Sequence, residues 1–277
     1  MFKKSVVLPL VCLLFISCKN NNFENISSMT QTILDNPKSV EAYNIRGIAF
    51  AQDSDYNSAL KDFSQAIQLD SNFIDAYINR GTLFLNKGYL DKAAADYNHV
   101  LTLQPNNAIA YIGLGNIALA EENFKEALYF FNKATGLTKN YRAFYGKAIV
   151  LQKLNRHKES IDAFFAALSN NPKLPQMYVD RGLSYLAIND LEKAKKDFSI
   201  ALNIDNNFAI AWYRLGDIYE RDGCYVDALE AYKAAKQLDD KIEDIDKHIE
   251  RLNALCSNFN FKCNKVADKY FKHKIYF

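Results

Sequence analysis

AYINRGTLFLNKGY, residues 76–89, sets a glycine beside an arginine in the middle of a segment whose apolar residues fall at helical spacing. A glycine inside a helix costs about 1 kcal/mol relative to alanine, so Gly81 needs a reason to be there. The surroundings recur along the chain. Glycines stand at 47, 81, 115, 182 and 216, at intervals of 34, 34, 67 and 34. Prolines at 37, 105 and 172 are separated by 68 and 67. One period of 34 residues, with a single deletion between about 136 and 140, accounts for both series.

Cut on that phase, the units begin at Val40, Ile74, Ala108, Tyr141, Pro175 and Ala209. The fourth position is aromatic in every unit: Tyr43, Tyr77, Tyr111, Phe144, Tyr178 and Trp212. The twentieth is small (Ala59, Ala93, Ala127, Ser160, Ala194, Ala228), and the twenty-fourth is aromatic again (Phe63, Tyr97, Phe131, Phe164, Phe198, Tyr232). The twenty-seventh is Ala66, Val100, Ala134, Ala167, Ala201 and Ala235. Each unit holds two apolar-periodic segments joined by a polar turn such as NKGYLD (86–91) or RDGCYVD (221–227), which predicts a helical hairpin. Large residues on one helix then face small ones on the other. Gly81 is read as a packing device at the closest approach of the two helices.

This pattern resembles the tetratricopeptide repeat across about 200 residues and six copies. The resemblance implies an all-α fold, a right-handed superhelical α-solenoid of six hairpins. Such an array needs polar caps at its ends. Segment 26–39, with helical phase over ISSMTQTILD (26–35), is expected to be a partial N-terminal cap helix, and 40–240 the repeats. Residues 241–255 place Ile242, Ile245, Ile249 and Leu252 on one face and are expected to form a C-terminal capping helix. The tail 256–277 is basic and aromatic, and no role is assigned to it.

Arg80 belongs to a subset. Arg46, Arg80 and Arg181 hold position seven in repeats one, two and five, and the same repeats carry Asp62, Asp96 and Asp197 at position twenty-three. The others have Leu114, Lys147 and Leu215 facing Phe130, Ala163 and Ala231. Arginine occurs only where the aspartate does, which predicts a structural ion pair between the two helices of those repeats. A planar guanidinium suits a bidentate bond to carboxylate.

The first residues read differently. MFKK is basic, VVLPLVCLLFI is an apolar run too short to span a bilayer, and a small residue precedes Cys18, as in a secretory signal peptide over 1–17. FIS-Cys18 resembles the lipobox of bacterial lipoproteins, which implies lipidation of Cys18 followed by a tether over 18–25. Several acyl chains on one cysteine give stable anchoring. Lys19, where aspartate would resemble an inner-membrane retention signal, favours the outer membrane with the protein facing the periplasm, surface exposure being the other possibility. Without Lys3 and Lys4 the 34 basic residues become 32, equal to the 32 acidic ones, so no basic excess is available for nucleic acid. In an oxidising compartment Cys256 and Cys263 are close enough in sequence to bridge, leaving Cys224 odd.

No enzyme chemistry emerges. GLGNIA (113–118) matches a dinucleotide fingerprint but falls inside a helix rather than between a strand and a helix. His99, His157, His248 and His273 are scattered without metal-ligand spacing, and Ser184 has no candidate base near it in sequence. Asp53 and Asp55 fall in a solvated turn. No cofactor or metal is expected.

In tetratricopeptide arrays the first helix of each hairpin (helix A) lines a concave channel with positions five, nine and twelve. Carried over, these are Asn44, Ile48 and Ala51; Ile78, Thr82 and Leu85; Ile112, Asn116 and Leu119; Tyr145, Ile149 and Gln152; Val179, Leu183 and Leu186; and Tyr213, Asp217 and Glu220. The row is apolar through its middle and acidic at its C-terminal end. Of the basic and asparagine residues with which chaperone-tail readers of the family clamp a carboxylate, only Asn116 has a counterpart. An exposed apolar row marks an interaction site and suits an apolar peptide or amphipathic helix. Cover by the chain's own tail or by closure of the superhelix is the competing account. The functional expectation is a non-catalytic adaptor holding another envelope protein, with glycan or small-molecule capture by an outer-membrane lipoprotein as the alternative.

Overall fold

Helix boundaries follow from local chemistry at each end. The computed structural model describes residues 22–258, and these form fourteen α-helices without a strand. They are α1 (Asn22–Asp35), α2 (Val40–Gln52), α3 (Tyr56–Leu69), α4 (Ile74–Asn86), α5 (Leu90–Leu103), α6 (Ala108–Ala120) and α7 (Phe124–Leu137). They continue with α8 (Tyr141–Lys153), α9 (His157–Asn170), α10 (Pro175–Ala187), α11 (Leu191–Ile204), α12 (Ala209–Arg221), α13 (Tyr225–Leu238) and α14 (Ile245–Asn258). Ser39, Asp55, Asn107, Asn140 and Asp190 accept backbone N–H groups at the starts of their helices. Pro175 opens α10, where its missing N–H costs nothing.

The turn inside each repeat is built one way. Position fifteen has positive φ in all six: Ser54, Gly88, Glu122, Asn155, Asn189 and Gly223. A left-handed residue there lets the following N–H reach back to close the helix end, as from Asp55 to the Phe50 carbonyl at 2.8 Å and from Tyr89 to that of Phe84 at 2.9 Å.

The chain divides into two compact units, one through Leu154 and one from Asn155. The first contains α1, the hairpins α2/α3, α4/α5 and α6/α7, and α8; the second contains α9, the hairpins α10/α11 and α12/α13, and α14. In both, the signature positions are the core. The six aromatic residues at position twenty-four are at most 2% exposed, and every small residue at positions twenty and twenty-seven is fully buried.

Five of those aromatic rings lie on glycine, the exception being Phe164, whose repeat has Ala148 at position eight. A methyl group added at Gly47 would come within 2.7 Å of Phe63, at Gly115 within 2.9 Å of Phe131, and at Gly182 within 2.5 Å of Phe198. The helix A of the next repeat also approaches the ring. Gly113 would place a methyl 2.4 Å from Tyr97, and Gly146 one 2.2 Å from Phe131, so Phe131 sits between Gly115 and Gly146. The second row of glycines, at position six, was not singled out in the sequence. Gly81 is the loosest of the group, with its nearest contacts at 3.2 and 3.3 Å. GLGNIA lies wholly within α6.

The arginines tie helix A to helix B. Arg46 Nε and Nη2 donate to Asp62 at 2.7 and 2.9 Å, Arg80 to Asp96 at 2.9 and 2.8 Å, and Arg181 to Asp197 at 2.8 and 2.7 Å. All three are bidentate. The guanidinium groups also lie beside aromatic rings from positions four and eleven, Tyr77 and Phe84 in the case of Arg80. The hydrogen bond to Asp96, opposed by burial, raises the Arg80 guanidinium above its ordinary value.

The flanking helices differ from the sequence reading at their starts. α1 extends N-terminally past Ile26 to include Asn22, the first described residue. α14 begins at Ile245 rather than Lys241, because Asp244 is left-handed (φ 61°) and interrupts helical continuity. Its Ile245 and Leu252 are buried in the core of the second unit.

Two outcomes follow for urea denaturation monitored by circular dichroism. Gly146→Ala costs about 2 kcal/mol through overpacking, whereas Gly81→Ala stays within about 0.5 kcal/mol of wild type, its closer contacts being offset by alanine's helix propensity. Equal costs at the two positions would contradict the ring-on-glycine account. Asp96→Ala costs about 3 kcal/mol by leaving Arg80 unpaired in a mostly buried site, and Arg80→Met with Asp96→Leu recovers most of that loss. A double variant no better than the single one would contradict the pairing.

Candidate functional site

The helix A row is less open than an apolar stripe on a solenoid would be. In the first unit Asn44, Thr82, Leu85, Ile112, Asn116, Leu119, Tyr145 and Ile149 are all buried, as is Ala51. Ile48, Ile78 and Gln152 are half-buried. Internal bonds occupy part of the row. Asn79 Nδ2 donates to Asn44 Oδ1 at 2.9 Å across adjacent repeats, and the Thr82 hydroxyl lies 2.9 Å from the Tyr97 hydroxyl. Burial pushes the Tyr97 phenol far up, so it stays protonated, and either hydroxyl can donate to the other. Leu85 belongs to the same core cluster as Tyr97 and Leu114. Asn116 is different: its side-chain Oδ1 is buried and has no hydrogen-bond partner among the described residues.

In the second unit Val179 is buried, while Leu183, Leu186, Tyr213, Asp217 and Glu220 are half-buried. The acidic end read from the sequence is engaged internally. Tyr232 donates from its hydroxyl to Asp217 at 2.9 Å and lies 3.2 Å from Glu220, and Arg214 reaches Asp217 at 3.0 Å. From α14, His248 Nδ1 lies 3.2 Å from Glu220 Oε2, and Arg251 pairs with Glu220 Oε1. The His248 ring stacks on Tyr232 at 4.7 Å, with Tyr213 edge-on to Tyr232 at 5.4 Å. Burial, then the charge of Asp217, pushes the Tyr232 phenol up. Glu220 therefore anchors the capping helix, while Asp217 is held within its own repeat by Tyr232 and Arg214, roles that sequence position alone did not reveal. The signal was present in His248 and Arg251, on the same helix as the apolar capping face.

The remaining candidates are brought together or set apart as follows. Ser184 is fully buried with its hydroxyl 3.2 Å from that of Ser160. The His99 ring lies tilted against Tyr77, with centroids 4.3 Å apart. Cys256 has no disulfide partner among the described residues, and its candidate partner Cys263 and the lipidation candidate Cys18 lie outside them. No described helix is long and apolar enough to cross a membrane.

Comparison with known proteins gives these features a family. A model of the TPR repeat matches residues 47–88, and one of the tetratricopeptide repeat matches 78–142 and 179–241, together more than half of the chain. Protein O-mannosyl-transferase TMTC1 of Homo sapiens is 26% identical over 139 residues, covering 49% of this chain and 15% of that protein. The chain spans less than a fifth of the length of the curated relatives it matches. Among solved structures, a chain of the APC/C hetero-tetramer Cut9-Hcn1 superposes with a TM-score of 0.73 at 15% identity, over 83% of this chain and 46% of that one. YrrB, described as a TPR protein with an unusual peptide-binding site, superposes with a TM-score of 0.57 at 27% identity, over 70% of this chain and all of that one. The repeat period, the helical hairpins and these matches agree: the chain belongs to the tetratricopeptide-repeat family, whose fold is a protein-interaction scaffold.

Proposed function

We propose that the protein is a non-catalytic adaptor of the bacterial envelope. Lipid on Cys18 anchors it at the outer membrane, facing the periplasm, and the helix A row holds an apolar peptide or amphipathic helix of another envelope protein. The buried, unpartnered Asn116 Oδ1 carries this reading. Leaving a buried acceptor unmade costs about 1–3 kcal/mol. That oxygen is closed to solvent, so a backbone N–H of a peptide laid along the A helices satisfies it once the side chains covering it move aside. The half-buried Ile48 and Ile78 in one unit, and Leu183 and Leu186 in the other, supply apolar contact beside such a segment. YrrB, similar in fold, is described by its peptide-binding site. The anchor rests on the basic start, the short apolar run and FIS-Cys18.

Pull-down from detergent-solubilised envelope tests the adaptor. Wild type and a chain lacking residues 256–277 retain the same partner, whereas Ile78→Asp and Leu183→Asp lose it while keeping full helicity by circular dichroism. A partner retained by both aspartate variants places binding off this row. In parallel, Cys18→Ser moves the protein from the membrane to the soluble fraction; membrane retention contradicts the lipid anchor.

A further inference from the structure

The three arginine repeats are not equivalent on their outer side. Arg46 Nη1 donates to Thr30 at 3.2 Å and Arg80 Nη1 to Ser64 at 3.2 Å, each hydroxyl coming sixteen residues earlier, from the preceding helix B position. Sixteen residues before Arg181 stands Phe165, which has no hydroxyl to offer. Arg181 spends Nε and Nη2 on Asp197, and its Nη1 makes no hydrogen bond among the described residues. The Phe165 ring does not close the gap; it is 66% exposed.

What is left is a cleft of about 470 Å³ inside the second unit, between α9, α10 and α11. That volume is within the range of ligand sites. Its lining has two characters. Phe165, Leu168, Tyr178 and Ile200 are apolar or aromatic, whereas Arg181, Lys193 and Lys196 oppose a single carboxylate, Asp197, already bound to Arg181. Lys193 is shared with Asp190 at 2.7 Å. Lys196 is exposed and makes no salt bridge among the described residues. A guanidinium edge open to the cleft suits an anion, and the apolar rim suits an anion joined to an apolar body.

We infer that this cleft is a second binding site, for a short acidic peptide segment of a partner protein in which a carboxylate neighbours an aromatic or aliphatic side chain. The carboxylate accepts from Arg181 Nη1 with Lys196 alongside, and the neighbouring side chain lies against Phe165 and Tyr178. The site uses positions four, seven and eleven of helix A, not the five, nine and twelve of the proposed adaptor row, so either can fail without the other.

Fluorescence anisotropy on the full chain tests it, with a labelled heptapeptide alternating aspartate with phenylalanine and leucine. The same peptide with asparagine for each aspartate is the control. Phe165→Ser installs the hydroxyl that Thr30 and Ser64 provide elsewhere, and at a position this exposed it leaves the fold intact. The aspartate peptide is expected to bind wild type and to bind Phe165→Ser and Lys196→Glu at least about tenfold more weakly, the loss of one charge-assisted hydrogen bond. The asparagine peptide is expected to bind at least about tenfold more weakly to wild type. Absence of binding to wild type, equal binding of the two peptides, or undiminished binding to Phe165→Ser would each overturn the assignment. Displacement of the peptide by inorganic phosphate alone would also overturn it, reducing the cleft to a simple anion site.

Discussion

A ring with no room to move holds this structure together. Five of the six aromatic side chains at position twenty-four (Phe63, Tyr97, Phe131, Phe198 and Tyr232) are buried against a glycine of their own hairpin, and Tyr97 and Phe131 also against a glycine of the following repeat. Close approach of backbones to a flat ring maximises dispersion contact and fixes spacing, since protein interiors tolerate neither gaps nor overlap of a methyl group. Helix propensity is sacrificed at those glycines. The stability returned by packing explains why so costly a residue recurs in helices. Gly81, conspicuous in the sequence, is the least constrained of them.

Upon that spacing rests a second layer of polar ties. The Arg–Asp pairs join helices whose separation the rings have already set, and a bidentate guanidinium adds register where a hydrophobic contact would slide. At the end of the second unit the same logic is carried by other residues. The Tyr232 hydroxyl lies between Asp217 and Glu220, and Glu220 in turn holds His248 and Arg251 of α14. The capping helix is thus fixed by both its apolar face and a charged one.

Within-repeat features were legible in the sequence because they recur at one phase: the hairpins, the aromatic and small positions, and the arginine–aspartate correlation. Between-repeat features were not. Gly113 and Gly146 matter through rings that belong to the preceding repeat, and no single repeat contains both partners. The openness of the helix A row was also overestimated. Ile112, Leu119 and Ile149 face positions that family geometry assigns to a channel, yet they are buried. Exposure depends on what lies opposite in space, and a periodic pattern carries no information about that. The start of α14 shifted because a single left-handed residue, Asp244, outweighs apolar periodicity.

Deviation among copies is the better guide to function. Six repeats share their packing residues, so what differs between them is free of that constraint. The buried Asn116 oxygen, the Phe165 that replaces a hydroxyl, and the Glu220 held by His248 and Arg251 of α14 are all departures from the common pattern. Two of these departures leave a polar group seeking a partner, which is how a scaffold acquires a binding site without disturbing its core.

The packing claim under all of this is tested most directly by a double-mutant cycle between Gly146 and Phe131, measured by urea denaturation. If the ring fills the space that an alanine methyl would need, Phe131→Leu relieves the strain of Gly146→Ala, and the double variant is more stable than the sum of the single costs by about 1–2 kcal/mol. Costs that simply add would show that ring and glycine do not share that space.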